Sequence, residues 1–371
     1  MSQAYRKLII FLVGLMLLGG CVAQAAPVSP SPVTSPAGVD AVALQQKVED
    51  YIRTGTAPLD NVRAVLVVVD GQTRLEHYRH GFTASAHEHV WSVTKSVIAT
   101  LIGIAIGEGL IPSLETPLTD LLPDYRKVMT PTTAKVTLHQ LMNHTGGFIA
   151  GDGTYDLQWD ILTGKGDPVT WALSKDESLS GPPGFFRYSD VGAHLVAAVL
   201  HSALQHHSAT KGRSILDYAR TKLFDPLGIA SKPAAEVTGF SDTDPEFAGT
   251  GFGWAAANGV MLGAFGLRLS ASDMAKLGQL YLDDGIWNGK RLLPDGWVSE
   301  ATAASPLANY GLLWWRDIDG RFEAHGYEGQ RIVVIPNQRA VIVTVSATVD
   351  TDYPLDEIGD LIETAIIPAL G

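Results

Sequence analysis

The sequence predicts a mixed α/β fold in which strands from both ends of the chain form one sheet, terminal helices cover it and the middle is mostly helical. Three observations carry this. A β-branched run, Ala64-Val65-Leu66-Val67-Val68-Val69, stops at Asp70-Gly71, the strongest short hairpin signal, and Thr73–Tyr78 supplies the return strand. Further strand candidates come only late, at Tyr310–Trp315, Arg331–Ile335 and Ala340–Ala347. Between them lies a long stretch of helical spacing, loops and turn signals without sustained alternation.

The elements follow in order. Arg6-Lys7 and the apolar run Leu8–Leu18 form a targeting segment too short to span a bilayer as an ordinary helix. Leu18-Gly19-Gly20-Cys21 fits a lipobox, which would make Cys21 a lipidated first residue, whereas Ala23-Gln24-Ala25 fits ordinary signal cleavage. The lipobox reading is favoured because the chain's single cysteine occupies that position. The expectation is a signal peptide over residues 1–20, a flexible Ala/Pro/Ser-rich tether over 21–38 and a folded part over 39–371. Export to a bacterial cell envelope follows, with a lipid anchor at the membrane, or a periplasmic or secreted form if cleavage is simple. Within the folded part, the sheet portion takes about 39–90 and 305–371, and the helical portion about 91–304.

Asp40–Thr54 has helical spacing through Val42, Leu44, Val48 and Tyr51. A second helix starts near Ser92, is apolar nearly all round from Val97 to Ile106, and stops at Gly107-Glu108-Gly109. Thr351–Leu370 closes the chain with helical spacing. Outside the single cysteine there is no thiol for a disulfide or a thiolate metal site. The balance of 27 Lys+Arg against 39 Asp+Glu, with no basic run, argues against a nucleic-acid partner.

Chemistry concentrates at Ser92-Val93-Thr94-Lys95. Residues three apart on a helix share a face with roughly 5–6 Å between Cβ atoms, so the lysine can reach the serine oxygen. Such a short pattern is weak, and Ser208-Ala209-Thr210-Lys211 matches it as well. Context separates the two, since Ser208 sits in a polar, turn-like segment and Ser92 opens a buried helix whose N-terminus favours developing negative charge. Taken alone, Ser92 reads equally as a plain N-cap. Tyr188-Ser189-Asp190 follows a Gly-Pro-Pro-Gly turn and supplies a proton-transfer candidate, against the alternative of a packing tyrosine. His325-Gly326-Tyr327-Glu328-Gly329-Gln330 would let backbone N–H groups approach a ligand, with His325 binding a carboxylate or carrying a proton; a simple turn between strands is the alternative.

Taken together, these three elements resemble the penicillin-binding-protein-like serine hydrolases, which include the class C β-lactamases. That family combines Ser-x-x-Lys, Tyr-x-Asn and a Lys-Thr-Gly or His-x-Gly element. Leu141-Met142-Asn143-His144-Thr145-Gly146-Gly147, Phe224-Asp225-Pro226-Leu227-Gly228-Ile229 and Leu267-Arg268-Leu269-Ser270 also look like family signatures, so the resemblance spans about residues 40–370. It implies a β-lactamase/transpeptidase-like fold, an antiparallel sheet flanked by terminal helices plus a mostly helical subdomain. It also implies a Ser92 acyl-enzyme, with Lys95 and Tyr188 moving protons. The oxyanion would sit between the Ser92 N–H and that of Glu328, with Tyr327 as the other candidate. No metal or organic cofactor is implied.

Two departures narrow the reading. Asp190 replaces the usual asparagine, and an ionised aspartate can only accept hydrogen bonds and should raise the lysine's pKa. His325, in an element whose Tyr327 stands where the pattern wants glycine, replaces the lactamase lysine. Both point from a β-lactamase towards an esterase or amidase acting on a small ester, amide or peptide-like substrate. The stretch is similar to members assigned as 6-aminohexanoate-dimer hydrolases or carboxylic esterases. The rival is a penicillin-binding D-Ala-D-Ala carboxypeptidase or a β-lactam sensor that turns over slowly. A zinc hydrolase is disfavoured because His87-Glu88-His89 and the His201, His206-His207 group lack the His-Glu-x-x-His spacing. No Gly-x-Ser-x-Gly elbow occurs. Substrate choice rests on loops between residues 110 and 310, above all Gly146–Asp167 and Ser241–Gly266, and Trp314-Trp315 reads as core packing or a cleft wall.

Overall fold

Asp70 and Gly71 both adopt left-handed φ, 51° and 70°, the pair of conformations that a type I′ turn requires. They join β1 (Val62–Val69) to β2 (Gln72–Tyr78). The late part of the chain adds β3 (Trp315–Arg316), β4 (Phe322–Gly326), β5 (Gln330–Ile335) and β6 (Ala340–Ser346). All pair antiparallel in the order β3-β4-β5-β6-β1-β2, so the two ends of the chain meet where β1 lies beside β6, with Leu66 opposite Val343. The computed structural model describes residues 39–54, 57–150, 155–164, 166–175, 178–229, 231, 252–305, 309–317, 319–347 and 355–371. The targeting segment, Cys21, the tether and residues 351–354 lie outside them. Among the described residues no helix is long and apolar enough to cross a membrane.

The strands alternate between two apolar faces. Val65, Val67 and Val69 of β1, with Val333 and Ile335 of β5, face the terminal helices; there they meet Leu44, Val48 and Ile52 of α1 (Ala41–Thr54) and Ile358, Leu361, Ile362 and Ile366 near the C-terminus. Ala64, Leu66, Ile332, Val334, Val341 and Val343 face the other way, into the larger core. Full burial of each such aliphatic side chain stabilises the fold by roughly 1.5–3 kcal/mol.

That larger core contains α2 (Val93–Gly107), α3 (Asp190–His206) and α4 (Ala271–Leu282). Every residue of α2 from Val93 to Ala105 is buried, which explains its apolar periphery: the helix is enclosed by protein on all sides. Gly278 lets α4 lie against the sheet, since a Cβ there would come within 2.5 Å of Val341 Cγ1.

Two expectations need correction. Tyr310–Trp315 is not a strand: Leu313 has a left-handed φ of 59°, and only Trp315-Arg316 pairs with β4. The strand beside it, β4, is not among the sequence's strand candidates: its buried Phe322 and Ala324 alternate with the titratable Glu323 and His325, which lie on the other face of the sheet. The mostly helical stretch between residues 91 and 304 holds short strands as well, among them Leu267–Ser270, which pairs with His87–His89 just ahead of that stretch.

Candidate active site

The site forms where two helix N-termini converge. Ser92 opens α2, and its side chain makes no capping hydrogen bond, so the plain N-cap reading does not describe it. At the start of α3, Ser189 is the cap: its Oγ accepts from the Gly192 N–H at 3.0 Å. This fixes Tyr188 just before the helix and Asp190 in its first turn, where a carboxylate suits the helix dipole.

Lys95 ties the two ends together. Its ammonium donates to Ser92 Oγ at 2.8 Å and to the Ala264 carbonyl at 2.8 Å, and it pairs with Asp190 Oδ1 at 2.6 Å. The side chain is 1% exposed, and Nζ sits 4.8 Å from the centroid of the Tyr188 ring. Ser92 and Ala264 thus accept hydrogen bonds from it, and Asp190 supplies the countercharge. Burial pulls the ammonium's pKa down, but the Asp190 charge and then Tyr188 more than offset it, so the net direction is up.

Tyr188 is held by an aromatic cluster that sequence reasoning missed. Trp315 stacks on it at 5.7 Å and an interplanar angle of 20°, while His144 lies 4.6 Å away and Tyr310 closes the cluster at 6.1 Å. His144 Nδ1 accepts from the Ser189 N–H at 3.3 Å, and the His144 carbonyl accepts from Arg187 N–H at 2.7 Å. Burial, then the Lys95 charge, hold His144 well below the usual histidine range, so it stays a neutral acceptor. The Asn143-His144-Thr145 signature was the available signal for His144. Of the tryptophan pair, Trp314 is fully buried against Tyr281 and Phe322, and Trp315 is the half-buried one at Tyr188.

The end of β4 reaches the nucleophile. A Cβ on Gly326 would lie 2.4 Å from the Val90 carbonyl and 3.2 Å from Trp91 Cβ, so glycine permits the approach. Tyr327 follows, its ring packed edge-on against Trp91 at 5.2 Å. Among the described residues no backbone carbonyl takes the Ser92 N–H.

The structure thus brings Ser92, Lys95, Tyr188 and Asp190 together, with Tyr327 and Glu328 close by in the backbone. It does not bring the His325 side chain among them. Phe322 and Ala324 face the α2 core, so Glu323 and His325 point to the opposite side of the sheet. There His325 Nδ1 lies 3.6 Å from Glu323 Oε1, and its strand partner is Arg331. Burial, then the Arg331 charge, push its pKa down to about 3, which leaves it uncharged. The second Ser-x-x-Lys match is a turn in which Ser208 and Lys211 are exposed. His89 accepts from the Gly266 N–H at 2.9 Å, and His206 bonds the Ser202 carbonyl at 2.9 Å; both serve local structure. Among the described residues no group of three or more His, Cys, Asp or Glu is placed to hold a metal ion. A cavity of about 310 Å³ lies at the sheet edge beside Arg321, Arg331 and Glu363, where Glu363 pairs with Arg321 and Glu323 with Arg331. Residues 151–154, 165 and 241–251 of the specificity loops lie outside the described residues.

Fold and comparisons together define a hydrolase of the β-lactamase fold. The chain belongs to the Beta-lactamase family, whose model matches residues 43–363. It is similar to the 6-aminohexanoate-dimer hydrolase of Paenarthrobacter ureafaciens, at 25% identity over 313 residues that cover 78% of this chain and 73% of that one. A solved structure from Bacillus anthracis, provisionally described as a 6-aminohexanoate-dimer hydrolase, superposes with a TM-score of 0.66 at 21% identity and covers 92% of this chain and 87% of its own. EstCE1, described as a hydrolase with promiscuous acyltransferase activity, gives a TM-score of 0.65 at 16% identity, covering 89% of this chain and 100% of its own. At these identities the two structures speak for the fold alone.

Proposed function

We propose that the protein hydrolyses a carboxylic ester or amide through an acyl-enzyme on Ser92. The observation that carries this reading is the 2.8 Å contact from Lys95 Nζ to Ser92 Oγ at the N-terminus of a buried helix. Asp190 keeps Lys95 protonated, so the lysine acts as a fixed positive charge beside the serine oxygen. The Ser92 proton then moves to the Tyr188 oxygen, which serves as the general base. Ser92 Oγ bonds to the substrate carbonyl carbon; the oxyanion is held by the Ser92 N–H and a second donor. As the ester or amide bond breaks, Tyr188 returns the proton to the leaving oxygen or nitrogen. Water attacks the acyl-enzyme, gives its proton to Tyr188, and Ser92 is regenerated with that proton.

For the second oxyanion donor, sequence reasoning favoured Glu328. The contact of Gly326 with Val90 and of the Tyr327 ring with Trp91 supports the Tyr327 N–H instead. Similarity to a 6-aminohexanoate-dimer hydrolase supports an amide among the substrates. Tyr188, packed beside the ammonium, favours turnover over a penicillin-binding or sensing module that stays acylated. Envelope localisation through a lipid on Cys21 is proposed on the targeting segment alone. The test is covalent labelling by a fluorophosphonate: Ser92→Ala should abolish it while the protein remains folded, and Ser208→Ala should leave it unchanged. Undiminished labelling of Ser92→Ala would remove the nucleophile assignment.

A further inference from the structure

Trp91, the residue immediately before Ser92, has a φ of 47°. A bulky side chain seldom occupies this left-handed region, and it persists only where surrounding contacts hold it. Those contacts are visible. The indole packs edge-on against His89 at 4.1 Å and against Tyr327 at 5.2 Å, and its Nε1–H donates to Glu328 Oε2 at 3.0 Å. Glu328 is 237 positions away in the chain, in the turn Tyr327–Gly329 that follows β4, and it too is left-handed, at φ 63°. The turn is anchored from behind: the Glu328 carbonyl accepts from Ser346 Oγ, and the Gly329 carbonyl accepts from Thr344 Oγ1 at 2.7 Å. Both anchors stand on β6, in the middle of the sheet.

From this geometry, and resting on the acyl-transfer reading of Ser92, we propose that the Glu328 carboxylate is a positioning residue. Its bond to Trp91 locks the strained loop that presents Ser92 to the strand end that presents the second oxyanion donor. The two halves of an oxyanion site come here from segments far apart in sequence. Gly326 allows them to approach, and the carboxylate holds them in register. A charge-assisted hydrogen bond is among the stronger non-covalent contacts, which suits it to hold a residue in an unfavourable backbone conformation. Because oxyanion donors act mainly as charge develops in the transition state, loosening them lowers the rate of acylation more than substrate binding.

The experiment compares Glu328→Ala, Glu328→Gln, Trp91→Phe and the Trp91→Phe/Glu328→Ala double variant. A p-nitrophenyl ester gives kcat and KM, and a fluorophosphonate gives the labelling rate. Glu328→Ala should lower kcat and labelling by about 10–100-fold with KM within about 3-fold, and Glu328→Gln, which keeps an acceptor, should recover most of the loss. Trp91→Phe removes the donor together with part of the ring that packs on His89 and Tyr327, so it should lose at least as much as Glu328→Ala. The double variant should be no worse than Trp91→Phe alone, because both break one bond. Equal activity of Glu328→Ala and the parent, or losses that multiply in the double variant, would overturn the proposal; if Glu328→Ala does not fold, Trp91→Phe against the parent decides it. A parent enzyme that takes no label on Ser92 would instead remove the underlying reading, and the two failures are distinct.

Discussion

Lys95 Nζ lies 2.6 Å from Asp190 Oδ1, so the amine beside the nucleophile is one half of a buried ion pair. The lysine holds its proton more tightly in the folded state than in the unfolded chain. Protonation of the lysine therefore favours the folded state throughout the neutral range, and this contribution is lost as pH rises from about 10.4 through the folded value.

Asp190→Asn removes the strongest influence that raises Lys95 and leaves burial, which lowers it. The amine should then lose its proton at lower pH and act as a base itself. The ionisation that governs kcat/KM should move to lower pH by at least about one unit. A superimposable pH profile would mean that Asp190 does not set the state of Lys95.

His325 faces away from Ser92, so His325→Gln should keep kcat/KM within about 3-fold, whereas removing a general acid or base usually costs about 10²–10⁴-fold. The same variant has a signature in stability. His325 is held at about 3 and His194 at about 4 in the folded protein, both mainly by burial. The unfolded chain binds their protons near 6.5, so the stabilisation is present above that pH and is lost as pH falls from about 6.5 through the folded values. Each contributes a slope of up to about 1.4 kcal/mol per pH unit in that window. Thermal melts between pH 6.5 and 4 should show a shallower decline in His325→Gln than in the parent.

Trp315→Ala removes the ring stacked on Tyr188. An aromatic pair of this kind contributes about 0.5–1.5 kcal/mol, so kcat should fall roughly 2–13-fold, with Trp315→Phe close to the parent. Steady-state kinetics on an ester check this, and an unchanged kcat in Trp315→Ala would show that Tyr188 is held by other neighbours.

Gly326→Ala places a methyl group 2.4 Å from the Val90 carbonyl, a backbone atom that cannot swing aside. The end of β4 must retreat from Ser92, and loss of one oxyanion donor costs about 10²–10³ in kcat. Fluorophosphonate labelling should slow by a similar factor. Labelling at the parent rate would place the second donor elsewhere.

Much of the framework was legible because local chemistry and tertiary context agree. The Asp70-Gly71 hairpin, the all-apolar α2 and the late strands Gln330–Ile335 and Ala340–Ser346 follow directly from turn chemistry and side-chain period. What sequence alone concealed depends on which face of a strand a residue occupies. His325 looks reactive in a glycine-rich stretch, yet the alternation of β4 turns it towards Arg331, while the neighbouring Gly326 does the work of close approach. The left-handed backbone of Trp91 and the aromatic cluster at Tyr188 join residues dozens to hundreds of positions apart. No local pattern encodes them. Ser92, Lys95, Tyr188 and Asp190 could be nominated because each sits at the start of a helix with recognisable flanks.

Intact-mass spectrometry during reaction with a p-nitrophenyl ester tests the Ser92 acyl-enzyme most directly. The parent should gain the mass of one acyl group, mapped to the peptide containing Ser92, and lose it again as product forms. Tyr188→Phe should acylate slowly and retain what adduct it forms, and Ser92→Ala should gain none. An adduct on any other residue, or turnover that persists in Ser92→Ala, would rule out the mechanism.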